Sequence, residues 1–86
     1  MLSREEIQSV FIQFDPMNLI NEEEDSNSYD RVSKAVFRYL NRMKEPLKLE
    51  KFAYIVQLIL GNAYCYYYPS YEYCKEISNF IMKKST

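Results

Sequence analysis

An all-α domain, a small bundle of three to four amphipathic helices, is the fold class that three features of this 86-residue chain predict. No segment sustains the period-two alternation of a half-buried strand. Apolar residues instead recur three and four apart in successive segments, the pattern of helices that bury one face. Helix punctuation stands between those segments, at Asp15-Pro16, Asn27-Ser28 and Pro46. We read residues 1–86 as one helical domain, without a repeat or a second domain.

The first helix opens at Leu2-Ser3-Arg4-Glu5-Glu6-Ile7. Ser3 and Glu6 have the spacing of a capping box, and Leu2 and Ile7 occupy the staple positions on either side of it. Ile7, Val10, Phe11 and Phe14 then share a face, and Pro16 disfavours helical geometry at Asp15, so the helix should stop near Phe14. The second helix should run from near Tyr29 to about Met43, capped by Asn27 or Ser28. Its buried stripe should be Val32, Ala35, Val36, Tyr39, Leu40 and Met43. At ~100° per residue, Arg31, Lys34, Arg38 and Arg42 project beside that stripe as one basic ridge.

The third helix, from Leu47 or Leu49 to about Tyr64, is apolar over most of its circumference: Leu49, Phe52, Ala53, Ile55, Val56, Leu58, Ile59 and Leu60. Such a helix is expected at the centre of the bundle. Gly61 sits in its last turn, where one glycine is tolerated. A fourth segment, from Ser70 or Tyr71 to Lys83, sets Tyr73, Cys74, Ile77, Phe80 and Ile81 against a face of Glu72, Lys75, Glu76, Asn79 and Lys83.

Bulk properties narrow the setting. Apolar residues make up 48% and charged residues 27% of the chain, the balance of a domain that folds but has a thin core. The longest apolar run, Phe52 to Leu60, is interrupted by Gln57 and falls far short of the ~20 residues that cross a bilayer. The N-terminal MLSREEIQ lacks the basic and then apolar order of a secretory signal, so a cytoplasmic location is expected. In that compartment Cys65 and Cys74 are expected as reduced, structural thiols, and Cys74 as part of the core.

The net charge of −1 hides an asymmetry. Residues 1–30 hold one base and eight acids, a net of −7, whereas residues 31–86 hold ten bases and four acids, a net of +6. Glu22, Glu23, Glu24 and Asp25 form an exposed acidic loop just before helix 2, where negative charge is favoured. Met17, Leu19 and Ile20 should tuck this connection against the core.

Little here suggests catalysis. The chain has no histidine, the commonest general base near neutral pH and the commonest metal ligand. The spacing of Glu22, Glu23, Glu24, Asp25 and Asp30 does not match the alternating ligands of an EF-hand loop, so no metal is expected. Gly61 is the only glycine, which excludes a glycine-rich phosphate cradle, and no cofactor is expected. Arg31, Lys34, Arg38 and Arg42 could bind anions, but a net charge of −1 argues against a nucleic-acid binder, and partial pairing with the acidic loop is favoured.

Six of the nine tyrosines fall between residues 64 and 73. A helix passing through residues 64–68 would spread four of them around its circumference, so not all can be buried. Tyr66, Tyr67, Tyr68 and Tyr71 are therefore expected either as a partner-binding surface or as caps on the core, with equal weight.

Phe14-Asp15-Pro16-Met17, the acidic connection, Tyr29-Asp30, an amphipathic helix and then an apolar helix together resemble the YugE-like family of small bacterial proteins. In that family an aromatic-Asp-Pro corner, typically with Trp, precedes an acidic stretch and a helix that opens with Tyr. The resemblance implies a helical bundle in a bacterial cytosol or a phage or mobile-element setting, and it brings no catalytic residues. The expected function is a non-enzymatic protein-binding module, an inhibitor, immunity-type or small regulatory protein, offering the acidic loop and the tyrosine segment to a protein partner. The alternatives are a structural homo-oligomer and, further off, a weak nucleic-acid binder through helix 2.

Overall fold

Ser3 starts the first helix as its side chain predicts. Its hydroxyl accepts the Glu6 N–H and its own N–H donates to the Glu6 carboxylate, each at 3.1 Å. In this computed structural model, which describes residues 2–18, 29–64 and 67–84, that capping box opens α1, Arg4–Phe14. Leu2 and Ile7 are both buried, which closes the staple over the same turn. Asp15 ends the helix in the left-handed region, at φ 47°, with its N–H on the carbonyl of Phe11. Aspartate is one of the few side chains that tolerates this geometry. A turn through Pro16 and Met17 follows, closed by the Asn18 N–H on the Asp15 carbonyl at 3.0 Å.

The second helix, α2, is Asp30–Arg42. Tyr29, not Asn27 or Ser28, holds its N-cap position, at φ 64° and without a side-chain cap. The reason is tertiary: burial of the Tyr29 ring decides where the chain enters the helix. Asn27 and Ser28 themselves lie outside the described residues, as do Leu19 and Ile20, whereas Met17 does pack on the core. Within α2 only Val32, Ser33 and Val36 are fully buried, and Ala35, Tyr39, Leu40 and Met43 are half-buried. Ser33 reaches the interior because its hydroxyl donates to the Tyr29 carbonyl at 2.7 Å, which satisfies it.

The third helix, α3, is Leu49–Ala63, and the fourth, α4, is Tyr71–Lys84. At the entry of α4, the Tyr73 N–H donates to the Ser70 hydroxyl at 3.2 Å. The helices close into a ring: α1 packs on α2 and α4, α3 packs on α2 and α4, and the backbones of the two diagonal pairs do not approach closely. The closest association is between α3 and α4. The expectation that α3 would be central is thus corrected. Each helix is a corner of the ring, and Ile55, Leu58 and Ile59 of α3 remain half-exposed.

The core lies along the ring's axis. It takes Ile7, Val10 and Phe11 from α1, Val32 and Val36 from α2, Phe52, Val56 and Leu60 from α3, and Cys74, Ile77 and Ile81 from α4. Full burial of an aliphatic or aromatic side chain contributes roughly 1.5–3 kcal/mol, so this short set is the main stabilising term. No helix among the described residues is long and apolar enough to cross a membrane.

Candidate functional site

The Asp-Pro corner forms a structural lock with Tyr29. The Tyr29 ring is 1% exposed and lies between Phe11 and Tyr64, with centroid distances of 6.0 Å to each. Its hydroxyl donates to Asp15 Oδ1 at 2.5 Å and accepts the Met17 N–H at 2.9 Å. Burial and the Asp15 carboxylate both disfavour the phenolate, so the hydroxyl is held far above its ordinary pKa and remains a donor. The neighbouring Asp30 carboxylate pairs with Lys34 at 3.1 Å and with Arg4 at 2.7 Å, which ties the start of α2 to α1. The bond to Lys34, and then the two positive charges, hold the Asp30 carboxyl below its usual range. The Tyr29–Asp15 and Arg4–Asp30 bonds join α1 and its C-terminal turn to the start of α2, and the Lys34–Asp30 pair steadies the first turn of α2 itself.

The tyrosine segment divides. Tyr64 is half-buried against Tyr29, and Tyr73 is half-buried with its hydroxyl on the Phe14 carbonyl, so these two cap the core. Tyr71 is half-buried and donates to the Glu50 carbonyl at 3.3 Å. Tyr67 and Tyr68 are exposed, at 69% and 44%, and Tyr54 of α3 is 54% exposed. Tyr66 and Cys65 lie outside the described residues.

Two contacts lay the 67–70 segment along α3. Gln57, the polar interruption of the apolar run, donates its side-chain amide to the Pro69 carbonyl at 2.8 Å. Gly61 lets the Tyr68 ring rest on the helix backbone, where a Cβ at position 61 would come within 2.1 Å of it. Tyr54 and Gly61 are seven residues apart, two helical turns, and share a face of α3. Tyr54 and Tyr68 therefore stand on one side of that helix, roughly 10 Å apart along its axis.

The basic ridge is formed as expected. Arg31, Lys34, Arg38 and Arg42 are all exposed on α2. Lys34 pairs with Asp30. Among the described residues, Arg31, Arg38 and Arg42 make no ion pair. Open grooves flank the ridge. One, of about 400 Å³ between α2 and α3, is lined by Ala35, Arg38, Tyr39, Arg42, Ile55 and Ile59. The other, of about 210 Å³, is lined by Arg4, Lys34, Phe37 and Arg38.

Glu22, Glu23, Glu24 and Asp25 lie outside the described residues, so pairing between them and the ridge does too. Among the described residues no cluster of three or more acidic, cysteine or histidine side chains is placed to hold a metal. Cys74 is a free, fully buried thiol, and burial pushes its pKa up to about 11. Protonated at neutral pH, it packs as a small hydrophobe.

Sequence reasoning missed the Tyr29–Asp15 bond, the seat of Tyr68 on Gly61 and the α2–α3 groove. A turn-forming Asp-Pro and a tyrosine 14 positions later were visible, but nothing local pairs them. No protein-family model, no curated protein and no solved structure matches this chain.

Proposed function

We propose that this protein is a non-enzymatic protein-binding module, an inhibitor, immunity-type or small regulatory protein of the bacterial cytoplasm, akin to the YugE-like proteins that its Phe14-Asp15-Pro16 and Tyr29-Asp30 elements resemble. One observation carries the reading: Tyr54, Tyr67 and Tyr68 are the large apolar side chains most open to solvent among the described residues, and Tyr54 and Tyr68 share one side of α3. Tyrosines supply contact area at small entropic cost and are enriched where binding energy concentrates. The occupant we assign to this face is a protein with a basic docking surface. Tyrosine faces accept guanidinium groups, and the four acids at 22–25 would speed the encounter electrostatically.

The test pairs specificity with kinetics. The tagged protein and its Tyr67→Ser/Tyr68→Ser variant are used to capture partners, and the captured protein is then purified and its association followed against salt. A protein held by the parent and lost with the variant, associating more slowly at high salt and more slowly again with Glu22→Lys/Glu23→Lys/Glu24→Lys, supports the reading. Equal captures, or an on-rate indifferent to those charges, would refute it.

The same exposed rings favour a second reading, a structural homo-oligomer with a two-fold tyrosine interface, which is how thin-cored domains gain stability. Light scattering at high concentration separates the two, because a monomer removes the oligomer.

A further inference from the structure

A second surface, separate from the tyrosine face, combines features that neither the fold nor the proposed function uses. The α2–α3 groove has an aliphatic floor, Ala35 from α2 with Ile55 and Ile59 from α3, all half-exposed. Tyr39 also lines it, and its ring is stacked on buried Phe52 at 6.2 Å with an interplanar angle of 7°, so that wall is held in place. Arg38 and Arg42 rise along the α2 side, four residues and therefore about 6 Å apart along the axis. Arg31 and Lys34 continue the same ridge, which spans about 16 Å from Arg31 to Arg42.

We infer that this groove docks an acidic amphipathic helix of a partner protein: apolar side chains spaced i and i+4 enter between Ile55 and Ile59, and flanking carboxylates meet Arg38 and Arg42. Charge complementarity identifies the occupant. Two guanidiniums one helical turn apart, with no carboxylate among the described residues to pair them, match two carboxylates at i and i+4 of a helix lying alongside. The length of the ridge corresponds to about 11 residues of such a helix.

Two other anion sources fit less well. Nucleic-acid binding to single strands relies on exposed aromatic faces for stacking, whereas this floor is aliphatic and one face of Tyr39 is covered by Phe52. A bilayer needs apolar side chains that protrude, whereas Ile55 and Ile59 line a recess between two helices.

The probe is a fluorescein-labelled synthetic helix of about 15 residues with leucines at i, i+4 and i+7 between glutamates, followed by anisotropy. Controls replace its leucines with serine or its glutamates with glutamine. A single-stranded oligonucleotide and phosphatidylglycerol vesicles are titrated in parallel. Saturable binding is expected, weakened at least about tenfold by either probe change and by Arg38→Glu/Arg42→Glu, exposed positions at which the fold survives. Amide shifts on binding should centre on Ala35, Tyr39, Ile55 and Ile59, and Tyr67→Ser/Tyr68→Ser should leave the affinity unchanged, which separates this site from the tyrosine face. Absence of saturable binding at about millimolar protein would overturn the inference. So would equal binding of the serine probe, or Arg38- and Arg42-dependent binding of the oligonucleotide or vesicles in place of the peptide.

Discussion

The hydroxyl of Tyr29 donates to the carboxylate of Asp15 across 2.5 Å, joining the residue that ends α1 to the residue that begins α2. Both partners have left-handed backbone, at φ 47° and 64°, a conformation that aspartate tolerates but that is disfavoured for a tyrosine. The bond, the Met17 N–H on the same oxygen and the burial of the ring together hold this geometry.

Removing that hydroxyl should be costly out of proportion to its size. Tyr29→Phe keeps the ring but removes the hydroxyl that donates to Asp15 Oδ1 and accepts the Met17 N–H. We expect a loss of about 1.5–3 kcal/mol, the range for hydrogen bonds to charged groups, in denaturant unfolding. A double-mutant cycle with Asp15→Ala should show a coupling of at least about 0.5 kcal/mol. Additive losses would mean that the two side chains act independently.

Acid should weaken both the Arg4–Asp30 joint between α1 and α2 and the capping box of α1. The folded pKa values of Asp30 and Glu6 are both depressed, Asp30 mainly by its bond to Lys34 and Glu6 mainly by the Ser3 N–H. Groups shifted in this direction stabilise the fold above their unfolded values of 3.8 and 4.5, and the contribution is lost as pH falls through the folded values. Stability measured from pH 6 down to pH 2, a window set by those values, should therefore fall less steeply in Asp30→Asn and Glu6→Gln than in the parent. Parallel curves would show that these carboxylates contribute nothing to the acid transition.

Alkali should act through the core. The Cys74 pKa rises from 9.0 to about 11 by burial, so its contribution is complete below the unfolded value and is lost as pH rises through the folded one. Tyr29 is shifted the same way from 10.0. In a Cys65→Ser background, the native protein at pH 8 should react with a thiol reagent at least about a hundredfold more slowly than the unfolded chain, because reaction awaits opening of the core. Comparable rates would place Cys74 within reach of solvent.

Gly61 gives a prediction whose sign depends on its neighbour. An alanine there gains up to about 1 kcal/mol of helix propensity, but its Cβ would meet the Tyr68 ring at 2.1 Å. In the parent, Gly61→Ala should dislodge Tyr68, seen as loss of the ring-current shift at residue 61, and yield little or none of that gain. In a Tyr68→Ala background the same change should stabilise by roughly the full 1 kcal/mol. Equal effects in both backgrounds would show that the ring does not rest on the glycine.

Local order was readable in the residues because its causes are local. The Ser3–Glu6 box, the stop at Phe14, the basic ridge of α2 and the buried line Cys74, Ile77 and Ile81 of α4 follow from side chains one or two turns apart, and all are present. The spacing of apolar residues reports which side of a helix leaves water, but not what it meets. An apolar circumference suggested a central α3, whereas closure of the ring through α1–α4 contact left Ile55 and Ile59 half-exposed and made a groove beside Arg38 and Arg42. Tyr29 and Asp15 are 14 residues apart and carry no pattern that pairs them; they meet because the helices on either side pack together. The division among Tyr64, Tyr67, Tyr68 and Tyr73 has the same origin, since tyrosine suits both a core edge and water, and only the positions of Tyr29, Gly61 and Phe14 determine which rings are covered.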